Sequence, residues 1–171
     1  MAIVFVLAFI GCNPFHGLVF RVVTNSMAPT IKEGDTIFCD RLFYKLSPLR
    51  RGDIVIVKDP EGRTNPDGSV QMYPKRIIGL GRDKVQVIAG KVYVNDNLLS
   101  GVLGRGKYFS DMPVEDFGPL VVPQGEYFLV GDNLANSYDS RLWKNSTVKI
   151  ESIYGKVTQI KDKETGEQRS L

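Results

Sequence analysis

The longest run of apolar residues in the chain lies at its start. Residues 1–12 are all apolar, Gly or Cys, and a mixed stretch extends the segment to Phe20. A helix over residues 1–12 spans roughly 18 Å, whereas one over residues 1–20 reaches about 30 Å, the thickness of the hydrocarbon core of a bilayer. We therefore predict a short helical membrane anchor over residues 1–20. A cleaved secretory signal, or a buried strand or helix of a soluble domain, would also explain this pattern.

After residue 20 the pattern changes to short apolar or alternating runs separated by turn-forming residues, which is typical of β-strands. The predicted strands cover residues 18–23, 53–58, 71–80, 85–88, 92–94, 126–130 and 153–160, and a further short strand follows the Gly34 turn within residues 31–38. Residues 89–91 contain the turn of a hairpin. Gly-rich residues 100–119 have no period and predict a long loop or lid. We expect a mostly β domain over residues 21–160, followed by a charged tail, residues 161–171, that frays.

Composition excludes several classes of function. The chain has 171 residues and a net charge of +3, which is too small to indicate nucleic-acid binding, and it contains no nucleic-acid motif. One histidine and two cysteines cannot form a common zinc site. Glycine-rich motifs for nucleotide phosphates are missing from the sequence. We therefore expect no nucleic-acid partner, no metal and no cofactor.

A candidate nucleophile follows the first predicted strand. Ser26 lies between that strand and Pro29, a residue that ends regular strand pairing. A serine hydroxyl needs a base, and the single histidine, His16, lies in the apolar N-terminal segment. A lysine that burial keeps neutral is therefore the simpler candidate for the base. An ordinary turn after a strand would explain the same residues without any catalytic role.

Lys75 is the lysine best placed to be that base. On a strand, Lys75 and Ile77 share one face, and Arg76 points from the other face toward acidic partners. Residues 131–141 are dense in small polar and acidic side chains, which can hold a neutral amine and pair with arginines. The simpler explanations are a lysine on a solvated strand face and a polar turn.

Three motifs occur in order after the apolar N-terminus. They are Ser-Met-x-Pro-Thr, Lys-Arg on a strand, and Gly-Asp-Asn-x-x-Asn-Ser-x-Asp-Ser-Arg. This series resembles the type I signal peptidases, membrane-anchored serine endopeptidases that remove signal peptides from exported preproteins. The matching segments are residues 26–30, 52–57, 75–79 and 131–141, and with the strands between them they cover most of residues 18–160.

The resemblance implies an architecture and partners. The catalytic domain would be a compact antiparallel β structure on the outer (trans) side of a membrane, held by a single N-terminal span. Its partners would be preproteins and the lipid membrane, and it would need no cofactor. Its substrates would carry small side chains, commonly alanine, one and three residues before the cut.

The resemblance also implies catalytic roles for individual residues. Ser26 would be the nucleophile and Lys75 the general base. The backbone N–H of Ser26 and the hydroxyl of Thr24 would form the oxyanion hole. Ser137 would hydrogen-bond to Lys75 and orient it.

Other residues would support the site. Structural ion pairs would join Asp132 with Arg76 and Asp139 with Arg141. The substrate cleft would be shaped by apolar residues, of which the candidates are Met27, Pro29, Ile77 and Val22.

Two other functions fit parts of the sequence. A self-cleaving, repressor-type Ser–Lys peptidase would need a helical DNA-binding module, and the sequence shows no such module. A membrane-anchored β-rich binding module without enzymatic activity would keep the same fold but would form no acyl-enzyme.

Overall fold

A computed structural model describes residues 17–42, 47–100 and 114–171. Within these residues the chain forms twelve strands, which pair in two sheets, and two single-turn 3₁₀ helices, at Leu134–Asn136 and Ile150–Ser152. None of the helices in this part of the chain has the length and apolar character needed to cross a bilayer. Most of the predicted anchor, residues 1–16, and the middle of the predicted lid, residues 101–113, lie outside the described residues.

The larger sheet has eight strands, all antiparallel to their neighbours. In spatial order they are β1 (Gly17–Arg21), β2 (Thr36–Asp40), β11 (Ile153–Lys161), β3 (Ile54–Lys58), β4 (Met72–Gly79), β9 (Glu126–Val130) and β10 (Val148–Lys149), with β12 (Gln168–Ser170) paired to β11. Since β1 begins at Gly17, the predicted helix does not extend to Phe20, and the apolar residues there pair with β2 instead.

The smaller sheet has four strands. Its order is β7 (Asn97–Leu98), β6 (Lys91–Val94), β5 (Lys84–Ile88) and β8 (Phe117–Val121). The predicted hairpin is confirmed, because β5 and β6 pair up to Ile88 and Lys91 around the turn. The predicted loop over residues 100–119 is wrong at its end, since β8 pairs with β5 from Phe117 onward.

The charged tail is part of the larger sheet. β12 folds back on β11, with Gln168 opposite Lys161, and the backbone N–H of Leu171 donates to the carbonyl of Thr158 at 3.0 Å. The Arg169 guanidinium also donates to the carbonyl of Thr30. The expectation that this tail frays is therefore wrong, because backbone pairing holds a strand whose side chains are all exposed.

Both faces of the central strands are buried. On β3, Ile54 and Ile56 pack in one hydrophobic cluster while Val55 and Val57 pack in another. A fully buried side chain of this size contributes roughly 1.5–3 kcal/mol to folding. β4 lies between β3 and β9 and is hydrogen-bonded on both sides, so a side chain on β4 is held on a rigid support.

Candidate active site

Ser26 lies in a turn that is held by backbone hydrogen bonds. Before it, the N–H of Val22 donates to the carbonyl of Asp35 at 2.9 Å. The carbonyl of Ser26 itself accepts the N–H of Asn133 at 3.0 Å. Met27 follows and is fully buried in the core. The turn therefore fixes Ser26, which is only 6% exposed, at the base of a cleft.

Lys75 on β4 points at Ser26. Its Nζ lies 3.0 Å from Ser26 Oγ, within hydrogen-bonding distance, and the residue is 1% exposed. Burial lowers the pKa of Lys75 from 10.5 to about 8, an effect that Asp139 opposes and Arg141 reinforces. A substantial neutral fraction therefore exists near pH 8, and a neutral Nζ can accept the hydroxyl proton of Ser26.

Thr24 lies beside the same hydroxyl. Its Oγ1 is 3.2 Å from Ser26 Oγ, and either oxygen can be the donor. The structure thus brings together the three residues assigned to catalysis and the oxyanion hole: Ser26, Lys75 and Thr24.

A bidentate ion pair lies next to this group. Arg76 donates from Nε and Nη2 to the two carboxylate oxygens of Asp132, at 2.7 Å and 2.6 Å. The hydroxyl of Thr30 donates to the same carboxylate. The pair joins β4 to residues 131–136 and to the turn after Ser26. This is the ion pair that the family resemblance implies for Arg76.

The second predicted ion pair also forms. Arg141 donates from Nε to Asp139 Oδ1 at 2.8 Å and from Nη2 to Asp139 Oδ2 at 2.9 Å. The fully buried carboxylate of Asp139 also accepts the N–H of Gly131 at 3.0 Å. The guanidinium of Arg141 reaches the carbonyl of Leu134 at 2.7 Å. One arginine therefore closes the loop that contains residues 131–141.

Ser137 lies in the same cleft but does not contact Lys75 as predicted. Its hydroxyl is buried and has no hydrogen-bond partner among the described residues. It lies instead against Gly131, where a Cβ would come within 2.3 Å of both Ser137 Oγ and the carbonyl oxygen of Ser26. The hydroxyl fills the space left by the glycine, so the predicted hydrogen bond to Lys75 is not formed.

The cleft has a volume of about 490 Å³. Of the residues predicted to shape it, Met27 and Ile77 are buried in two hydrophobic clusters and Pro29 is exposed at the surface. Val22 lines a separate small apolar pocket beside Thr24. The structure does not bring these four side chains into the cleft, because the turn after Ser26 directs Met27 into the core and both faces of β4 are covered.

Comparison with known proteins identifies the family. A family model described as "Signal peptidase, peptidase S26" matches residues 1–160. The chain belongs to the peptidase S26 family.

Several named relatives resemble this S26 family member. It is 34% identical to a probable signal peptidase I-2 of Synechocystis sp. over 134 residues, which cover 78% of this chain and 59% of the relative. It is 32% identical to signal peptidase I of Leptolyngbya laminosa, over 78% and 64% of the two chains, and 35% identical to signal peptidase I T of Bacillus subtilis, over 71% and 62%. The matched part thus spans less than two thirds of each relative's length.

A crystal structure of a signal peptidase I from Enterococcus faecalis V583 also aligns with this chain. The sequence identity is 30%, the TM-score is 0.49, and the alignment covers 66% of this chain and 98% of the other.

Sequence reasoning missed three residues of the site in this S26 family member. Asn133 holds the turn that contains Ser26 by two hydrogen bonds. Its Nδ2 donates to the carbonyl of Asn25 at 3.1 Å, and its backbone N–H donates to the carbonyl of Ser26. Tyr73 and Tyr138 line the cleft. Tyr73 could have been found from strand alternation, since it lies two residues before Lys75. The position of Tyr138 has no local signal in the sequence.

Proposed function

We propose that this chain is a serine endopeptidase of the signal peptidase I type, which removes signal peptides from exported preproteins. The observation that carries the proposal is the 3.0 Å contact between Ser26 Oγ and the buried Nζ of Lys75, whose pKa is lowered to about 8. The names of the relatives support the substrate class.

The chemistry is acyl transfer with a lysine base. Neutral Lys75 takes the proton of the Ser26 hydroxyl, and Oγ attacks the carbonyl carbon of the scissile peptide. The resulting ammonium gives its proton to the departing amine as the C–N bond breaks. A water molecule, deprotonated by Lys75, then hydrolyses the ester on Ser26 and releases the signal peptide.

The negative oxygen of the tetrahedral intermediate needs hydrogen-bond donors. We assign them to the backbone N–H of Ser26 and the hydroxyl of Thr24, which lies 3.2 Å from the nucleophile. Each such donor is worth about 3 kcal/mol of transition-state stabilisation. Ser137 Oγ, buried and unpartnered among the described residues, is within the same cleft and is free to turn toward Lys75 during the reaction.

The proposed enzyme acts at a membrane. The apolar run over residues 1–12 supports attachment of the N-terminal segment to a membrane, with the domain over residues 21–160 on the outer side. This placement puts the cleft on the side where exported preproteins emerge.

Cleavage of a model preprotein in detergent tests the proposal. Ser26→Ala and Lys75→Ala are each expected to reduce cleavage by at least about 10³-fold, because nucleophile and base act as a unit. Lys91→Ala, which changes an exposed strand lysine, is the matched control and should cleave at the wild-type rate. A thermal melt of each variant checks that loss of cleavage is not caused by loss of the fold.

Three results would contradict the proposal in different ways. Cleavage by Ser26→Ala at the wild-type rate would exclude an acyl-enzyme on Ser26, whereas a wild type that cleaves no preprotein would favour a binding module. Cleavage by Lys75→Ala at that rate would leave the serine in place but require another base.

A further inference from the structure

Two tyrosine rings line the cleft beside the reacting atoms. Tyr73 and Tyr138 both border the space that holds Ser26 and Lys75, and Lys75 Nζ lies 5.5 Å from the centre of the Tyr73 ring. Neither ring takes part in the acyl transfer described above. Both are held by the loop over residues 59–71, which joins β3 to β4.

Tyr138 is held at its hydroxyl and on the face of its ring. The hydroxyl donates to Glu61 Oε1 at 2.8 Å, and the guanidinium carbon of Arg63 lies 4.3 Å from the ring centre. Glu61 Oε1 also accepts the N–H of Lys144 at 3.1 Å. We call Glu61 and Arg63 the Tyr138 clamp. Because the clamp holds two points of one side chain, the ring cannot swing out of the cleft without losing both contacts.

The clamp is itself fixed by a buried carboxylate. Asp59 accepts the Nε–H of Arg63, the hydroxyl of Tyr73 and the backbone N–H of Glu61, each at 2.8 Å. Burial alone would raise the pKa of Asp59, but the hydrogen bonds from Arg63 and Tyr73 lower it on balance, so the carboxylate stays ionised. One buried anion therefore connects both aromatic walls of the cleft.

The neighbouring side chains in this part of the cleft are mostly small. Ala135, Asn136 and Ser137 precede Tyr138 along its edge. Tyr138 and Leu142 are the two large side chains that line the cleft here, and Tyr138 is the one that the loop over residues 59–71 holds in place. An unclamped tyrosine could swing outward and admit a larger substrate side chain.

We propose that Glu61 and Arg63 hold Tyr138 as a wall that limits the size of the substrate side chain admitted beside Lys75. This inference rests on the proposed peptidase function and adds a specificity-determining residue to it. Tyr138 contributes no proton or charge to the reaction in this scheme. Its effect lies in the ratio of rates between substrates of different size.

The test uses preproteins that differ at a single residue. Each position from three before to two after the cut is changed from alanine to phenylalanine, and kcat/KM is measured for every pair. Tyr138→Ala is expected to improve cleavage of the phenylalanine substrate relative to its alanine partner by about tenfold at one or more positions. Arg63→Ala should shift the same ratio in the same direction by less.

Two further variants complete the test. Tyr138→Phe keeps the ring and its contact with Arg63 but loses the hydrogen bond to Glu61, so it should shift the ratios in the same direction as Arg63→Ala and by less than Tyr138→Ala. Tyr93→Ala removes a half-buried tyrosine on β6, away from the cleft, and should leave the ratios unchanged.

The outcomes separate this inference from the proposed function. If the wild type cleaves no preprotein, both fail. If the wild type cleaves and Tyr138→Ala has the wild-type ratio at every position, the wall does not exist although the enzyme does. If Tyr138→Ala does not fold, Arg63→Ala decides alone: a shifted ratio supports the wall, and an unchanged ratio overturns it.

Discussion

A lysine acts as a base near neutral pH only when its charged form is costly. Burial supplies the largest part of that cost for Lys75, and the charge of nearby Asp139, which is paired with Arg141, opposes it. The carboxylate raises the pKa of Lys75 while the guanidinium lowers it. Without Arg141, the buried carboxylate of Asp139 would favour a protonated Lys75. This ion pair therefore keeps the base functional as well as holding the loop.

The pH dependence of cleavage follows from this balance. Below pH 8, kcat/KM should rise about tenfold per pH unit as the neutral fraction of Lys75 grows, and it should level off above pH 8. Arg141→Gln, by leaving Asp139 unpaired, should move this rise to higher pH. The measurement is kcat/KM from pH 6 to pH 10 on a substrate without ionisable groups near the cut. A flat profile up to about pH 9 would rule out a titrating base.

Local patterns in the sequence marked the principal residues as candidates, and the resemblance to a known family assigned their roles. Ser26 follows a strand and precedes a proline, and Lys75 shares a strand face with Ile77, but each pattern alone also fits a residue without a catalytic role. The hydroxyl of Ser137 could not be oriented in this way. Its direction depends on the space over Gly131, and that space exists only after the loop has packed.

At the scale of elements, β4 carries two basic side chains of the site, one on each of its faces. Lys75 points to Ser26, and Arg76 points to Asp132 in the loop after β9. Hydrogen bonds to β3 and β9 on either side fix both side chains at once. The position of the base thus depends on sheet pairing on both sides of one strand.

The ion pair of β4 should contribute to stability far more than an exposed pair does. Arg76→Ala leaves the fully buried carboxylate of Asp132 without its cation, and it is expected to lower the free energy of unfolding by about 3 kcal/mol. Lys84→Ala removes the cation of an exposed pair with Asp96 and should cost less than about 1 kcal/mol. Urea denaturation measures both. Equal losses would show that burial of Asp132 does not strengthen the pair.

Strands with apolar alternation were predictable, whereas β7, β8, β10 and β12 were not. β12 consists of exposed polar residues, so no hydrophobic signal marks it, and only its pairing with β11 reveals it. β8 contains Gly118 and Pro119, residues that indicate a loop, although the strand pairs with β5. The contact between Tyr138 and Glu61 joins residues 77 positions apart in the sequence, and no local pattern predicts a contact over such a separation.

At the scale of the molecule, the larger sheet is assembled from both ends of the described chain. β11 lies between β2 and β3, and the site combines the turn after β1, strand β4 and the loop after β9. The single tryptophan, Trp143, is buried in the cluster that contains Val55 and Leu129, two residues after Arg141. Its fluorescence therefore reports on the packing that supports the site.

Urea unfolding should show a single transition for structure and activity. The red shift of Trp143 fluorescence and the loss of preprotein cleavage are expected at the same urea concentration. The reason is that the loop over residues 131–141 is bonded both to β4 and to the turn that contains Ser26. Trp143 fluorescence, far-UV circular dichroism and cleavage activity are all measured on the same samples. Loss of cleavage well before the fluorescence change would mean that the loop opens independently of the sheet.

The order of the site residues along the chain also has a consequence for the proposed enzyme during its synthesis. A ribosome that has made the first hundred residues has already produced Ser26 and Lys75, but β9, the loop with Asp132 and Asn133, and the central strand β11 do not yet exist. The nascent chain therefore carries a serine and a lysine that nothing aligns. Translation must pass residue 161 before the proposed peptidase can act. An incomplete nascent chain is therefore expected to cleave no preprotein.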